Sequence, residues 1–225
     1  MKTVAFYLLA TLALSACTTA MNTGITSNNS NQTVTEFPVQ TAMNNIYTKT
    51  RSEDLSTVMY GLKMAKEFTV MPKGTTVFNN QQVQSAEVVR LSKVEGQIID
   101  KSVGVNYFTL NPLVFHGFTK DSGEYSIATQ SVTIPKVATV GDSNQFVTER
   151  IYSDSSKNIP VNFYNLTWSL SRASANTAWL CIDIDIYENS SECYQIDGSG
   201  NILQSKKHLQ YWAENSFEII NYMSE

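Results

Sequence analysis

Along much of this chain apolar residues recur at every second position. The runs are Val58, Tyr60, Leu62 and Met64; Phe68 and Val70; Tyr125 and Ile127; Tyr164, Leu166, Trp168 and Leu170; and Ala178, Leu180, Ile182, Ile184 and Ile186. Alternation of this kind turns one face of a strand into a core and leaves the other wet, as in antiparallel sheets. Between the runs stand clusters of turn-forming residues: Asn79-Asn80, Asp121-Ser122-Gly123, Gly141-Asp142-Ser143-Asn144, Asp154 to Asn158, and Asp197-Gly198-Ser199-Gly200-Asn201. Their side chains or their tolerance of positive φ favour chain reversal. The pattern predicts an all-β or β-dominated domain over 37–225, an antiparallel sandwich or barrel.

Two stretches depart from the alternation. After Pro38, residues Ala42, Met43, Ile46 and Tyr47 share a helical face, which predicts a minor helix near 38–50. Over 206–223 the signal is double. Leu209, Trp212, Ala213, Phe217 and Ile220 fit one helical face, whereas Phe217, Ile219, Asn221 and Met223 alternate, so helix and strand both stay open. An internal echo, Pro72-Lys73-Gly74-Thr75-Thr76-Val77 against Pro135-Lys136-Val137-Ala138-Thr139-Val140, raises the alternative of two similar β-halves, about 68–130 and 131–202. Reuse of one turn vocabulary within a β protein explains the same echo.

The N-terminus carries a different signal. Lys2 precedes a short apolar run, Val4 to Ala13, that is too short to span a bilayer as a helix and suits a secretory signal. It ends in Leu14-Ser15-Ala16-Cys17, which resembles the lipobox of bacterial lipoproteins. The resemblance implies that residues 1–16 are a signal peptide and that Cys17 receives a diacylglycerol and an acyl chain such as palmitate. The membrane partner would then be reached through this N-terminal lipid anchor, since two or three chains hold stably where one does not. Thr18 stands where lipoproteins retained in the inner membrane carry Asp, which by the same resemblance points to the outer membrane. Thr18 to Glu36 is rich in Thr, Asn and Ser and poor in apolar residues, so 17–36 is expected to be the lipidated cysteine and a flexible tether. Its average reach would be roughly 25 Å.

Charge and cysteine count sharpen this. The 225 residues carry 16 Lys and Arg against 20 Asp and Glu; without Lys2 the balance is 15 against 20, or −5, which argues against a nucleic-acid partner. Of three cysteines, lipidation of Cys17 leaves Cys181 and Cys193, and an exported chain permits a disulfide between them. Geometry sets a condition: the strand from Trp179 must end near Asp183 to Asp185, because a strand running on to Tyr187 would carry the two cysteines apart.

Candidate chemistry is sparse, and no cofactor is expected. Asp197 to Ile202 resembles the middle of an EF-hand calcium loop, but Gln195 and Lys206 occupy its first and twelfth places, so a hairpin turn is the better reading. Asp183 and Asp185 share one strand face and are weak candidates for a metal or for acid/base work; such a pair is more often a solvated face. His116 and His208 each lack a metal-ligand spacing, and no Gly-x-Ser-x-Gly elbow is present. The aromatic residues, Tyr107, Phe108, Phe115, Phe118, Phe163, Tyr164, Trp168, Trp179, Tyr211 and Trp212, suit core filling or a groove for glycan, lipid or a partner strand. The chain therefore reads as a non-enzymatic binding or envelope-accessory module, with an envelope protein or a glycan as partner. Two alternatives stand beside it: an inhibitor or immunity-type lipoprotein, and a hydrolase built from dispersed residues such as Asp183, Asp185 and His116 or His208.

Overall fold

The computed structural model describes residues 33–185, 190–213 and 216–224, with side chains outside 210–218. The lipobox with Cys17 and most of the expected tether lie outside the described residues. The folded unit is Gln32–Glu225.

The described residues form fourteen strands and one helix. In chain order they are β1 (Glu36–Phe37), α1 (Val39–Thr48), β2 (Arg51–Met59), β3 (Leu62–Phe78), β4 (Gln81–Val94), β5 (Gln97–Thr109), β6 (Val114–Lys120) and β7 (Tyr125–Ser131). There follow β8 (Ala138–Thr139), β9 (Ser143–Tyr152), β10 (Pro160–Arg172), β11 (Thr177–Asp185), β12 (Ser190–Asp197), β13 (Ile202–Ala213) and β14 (Ser216–Ser224). The β-dominated expectation holds, in its barrel form. Twelve strands close in the order β10-β11-β12-β13-β14-β2-β3-β4-β5-β6-β7-β9, every neighbour antiparallel, while β1 and β8 form a separate pair. Closure gives every barrel strand a neighbour on both sides among the described residues, although the β14–β2 and β6–β7 seams are short.

Inward and outward positions follow the alternation. On β10, Tyr164, Leu166, Trp168 and Leu170 are buried, and on β11 so are Ala178, Leu180 and Ile182. The outer positions at the same level are polar: Thr167, Asp183, Ser191, His208 and Asn221 stand side by side across five strands. On β10–β14 this row is the reverse of a lipid-facing barrel wall.

A barrel of this strand number is too wide for wall side chains alone to fill. The helix α1 supplies the missing volume at one end, burying Val39, Ala42, Met43 and Ile46 along one face against Val70, Phe108, Phe146, Leu180 and Ile196. Its terminus is held by Arg51, whose Nε donates to the Ile46 carbonyl at 3.2 Å. Its first turn rests on the β12–β13 turn, the same Asp197–Asn201 segment that resembled a calcium loop. There Gly200 has φ +80°, and a Cβ at this position would lie 3.2 Å from the Ala42 nitrogen, so any other residue would be strained and crowded. Asn45 Nδ2 donates to the Gly200 carbonyl at 2.9 Å.

Several details depart from expectation. Val34 donates its backbone N–H to Ala175 at 2.9 Å and Thr35 accepts from Val140 at 2.8 Å, so residues 33–36, read as the end of the tether, are strapped across the plugged end. The double signal over 206–223 resolves into the hairpin β13–β14, not a helix. Pro72 sits at a bulge in β3, with Gly74 at φ +80°, whereas Pro135 lies in the segment before β8, so the two echoed elements have different structures. Beyond that bulge the β3–β4 hairpin bends over the outer wall, where Phe78 stacks on Tyr107 at 4.0 Å and Tyr125 at 5.1 Å.

Candidate functional site

Between the α1 plug and the opposite end of the barrel lies a cavity of about 540 Å³. Ile46 and Tyr47 of α1 form its floor; Asp121, Ser122 and Glu124 of the β6–β7 turn stand at its far end. The chain reaches α1 at the plugged end, so the mouth lies away from the point of entry. Around that end Val58, Leu62, Ile98, Ile99, Ile159 and Phe163 are exposed.

The walls mix apolar and charged groups. Phe68, Val88, Leu166, Ile182 and Ile184 contribute the apolar surface. Among them a polar chain crosses from β2 to β13. Arg51 pairs with Glu53, lies over the Tyr194 ring at 4.9 Å and donates from Nη2 to the Tyr194 oxygen at 3.2 Å. The Tyr194 hydroxyl donates to Glu192 at 3.3 Å, and Lys207 Nζ donates to Glu192 at 2.7 Å. Lys207 also stands 4.8 Å over the Phe68 ring. Burial opposes ionisation of Glu192, but Lys207, Arg90 and Arg51 outweigh it and hold the carboxyl at about 2. Burial pushes the Tyr47 and Tyr194 phenols well up.

Glu149 on β9 behaves in the opposite way. It is 3% exposed and accepts from the hydroxyls of Ser126 and, at 2.9 Å, Tyr164. Burial outweighs those hydrogen bonds and raises its carboxyl above the usual range. Gly117 makes this corner accessible: at φ +142°, a Cβ there would come 2.2 Å from the Ser126 carbonyl oxygen.

The residues singled out from sequence lie elsewhere. Cys181 and Cys193 are directly opposite on β11 and β12 and form a disulfide; the residues that join the two strands, 186–189, lie outside the described residues. Asp183, Asp185, Ser191 and His208 border a shallower pocket of about 310 Å³ on the outer wall. There Ser169 Oγ donates to Asp183 at 3.4 Å and His208 Nδ1 meets Asn221. His116 contacts Thr109 Oγ1 at 3.3 Å, and burial lowers its pKa. Neither contact joins a histidine to a serine or a carboxylate. Among the described residues no group of three or more His, Cys, Asp and Glu could hold a metal ion. Phe108, Phe115, Tyr164 and Trp168 are core, whereas Phe163 is 66% exposed and Trp179 lies under Lys206 at 4.2 Å. The side chains of Tyr211 and Trp212 fall outside the described residues.

Sequence reasoning did not single out the lumenal set of Arg51, Glu53, Arg90, Glu149, Glu192 and Lys207. A signal existed: Arg90 continues the phase of Ala86 and Val88, and Glu149 stands between Val147 and Ile151. A charge in the inward phase of a barrel strand points at the lumen. Comparison with family models, curated proteins and solved structures finds no match.

Proposed function

We propose that the protein is a non-enzymatic binding module of the bacterial outer membrane, anchored through lipid on Cys17, whose barrel holds a small ligand in its lumen. The observation that carries the binding reading is the 540 Å³ cavity between the α1 plug and the open end. Its size and its mixture of apolar wall with a few polar groups are those of small-molecule sites. The anchor rests on Leu14-Ser15-Ala16-Cys17, and the polar outer wall suits a barrel that stands in water beside the membrane.

Two measurements test this. Native mass spectrometry of the protein purified from membranes is expected to show a small adduct that Leu166→Trp, which fills the lumen, removes; an adduct indifferent to Leu166→Trp defeats the lumenal reading. Cys17→Ala is expected to move the protein from the membrane to the soluble fraction, and continued sedimentation with membranes defeats the anchor.

A second reading, docking of an envelope protein as an inhibitor-type lipoprotein would, is favoured by the exposed apolar residues around the mouth. Co-purification of a partner that Ile98→Glu abolishes and Leu166→Trp preserves would select it.

A further inference from the structure

The cations of the lumen are not equally satisfied. Arg51 is paired with Glu53, Lys207 with Glu192, and Lys120 with Glu124 at 2.7 Å. Lys206 is taken by the Trp179 ring, and Lys101 is exposed at the rim. Arg90, which lines the cavity from β4, has no ion pair and no hydrogen bond among the described residues. It stands opposite Ser102 of β5 and reaches across Gly104, where a Cβ would lie 3.8 Å from its Nη1. Arg90 is half-buried and lines the cavity without an acceptor, so its guanidinium is free to take one from a ligand.

Its neighbours do not supply that acceptor. Glu192 is held by Lys207 and Tyr194, Glu53 by Arg51, and Glu149 by two hydroxyl donors. The Arg90 charge is nevertheless felt across the lumen: with Lys207 it helps to keep Glu192 ionised against burial, and it opposes the rise that burial imposes on Tyr47 and Tyr164. The Tyr47 hydroxyl, on the floor of the cavity, also lacks a hydrogen-bond partner among the described residues and adds a second donor. Beside these two donors the wall is apolar: Phe68, Val88, Leu166 and Ile182.

Building on the lumenal binding reading, we propose that the ligand is an amphiphile with one anionic head group, seated on Arg90 with Tyr47 as second donor, and an apolar body among Phe68, Val88 and Ile182. A guanidinium donates parallel hydrogen bonds to a carboxylate or phosphate, whereas an alcohol or amide head cannot use that geometry. The head-group chemistry is shared by a free fatty acid and a lysophospholipid of the phosphatidate kind.

The full-length protein in lipid nanodiscs is titrated with cis-parinarate, reading energy transfer from tryptophan, with empty nanodiscs as the partition background. Palmitate, lysophosphatidate and cetyl alcohol then compete. Saturable binding is expected, with the anionic competitors at least about tenfold more effective than cetyl alcohol, and the more effective of the two anions names the source. Arg90→Gln is expected to weaken palmitate about tenfold or more while leaving cetyl alcohol unchanged. Arg90→Lys should restore part of that loss, and circular dichroism verifies the fold of each variant. Equal competition by palmitate and cetyl alcohol, or an Arg90→Gln protein that binds palmitate as the parent does, overturns the anionic head group. If Leu166→Trp still abolishes probe binding in that case, the lumenal reading survives alone. Saturable binding that Leu166→Trp leaves intact, or none above empty nanodiscs, overturns both.

Discussion

Gly117 and Glu149 meet at one corner of the lumen, and each is placed there by a different constraint. Gly117 lets β6 pass the Ser126 carbonyl at a distance no side chain tolerates. Gly117→Ala is therefore expected to destabilise the barrel by about 3 kcal/mol, read as a shift of the urea midpoint, because backbone rather than a flexible side chain must yield. Glu149 carries the cost of a buried carboxyl. Its folded pKa lies above the unfolded value, so the folded state loses stability as pH rises through the folded pKa, and no difference remains below the unfolded value. Glu149→Gln keeps an acceptor for Ser126 and Tyr164 without the charge. Its melting temperature should exceed the parent's above neutral pH, with the gain shrinking towards about pH 4.

At the scale of elements, the β11–β12 hairpin and α1 hold the fold in different ways. The hairpin is cross-linked at Cys181 and Cys193, twelve residues apart in sequence. Replacing both with serine is expected to cost about 3 kcal/mol in urea denaturation, and the parent under reducing conditions should lose the same amount. The helix has no side-chain cap at its N-terminus and ten residues in all. Such a helix is marginal alone, so it owes its existence to the apolar face it buries and to Arg51 and Gly200 at its ends. Its apolar spacing was legible before its position was, because periodicity reports which face is buried and not what covers it. The β13–β14 hairpin illustrates the converse: Phe217 belongs to both the helical and the alternating set, and partners far away in sequence choose between them. Here β12 and β2 flank the hairpin and offer ladders only to strands.

For the whole molecule, closure is uneven. Among the described residues β14 meets β2 through Met223↔Ser56 and Ser224↔Leu55, and β6 meets β7 through Thr119↔Tyr125, whereas β3 and β4 pair along most of their length. Opening should begin where the fewest ladder bonds must break. Amide hydrogen exchange is expected to be fastest in β14 and at the β6–β7 seam and slowest in β10 and β11; equal protection around the wall would contradict this. The seam at β14 also joins the last strand to the first strand of the barrel, the closure most distant in sequence.

What the chain determined by itself was local. Alternation dictated strands, turn residues dictated reversals, and the spacing of Ala42, Met43, Ile46 and Tyr47 dictated a helix, since each depends on neighbours a few residues away. Leu14 to Cys17 marked an expected anchor for the same reason. Only the tertiary structure decided that the strands close into one barrel, that the helix enters it, and that Arg51, Glu53, Arg90, Glu149, Glu192 and Lys207 share a lumen. Those facts rest on strand count, register and closure, which are properties of pairing between distant segments. A charge in the inward phase looks like a flaw in a strand until the barrel around it exists.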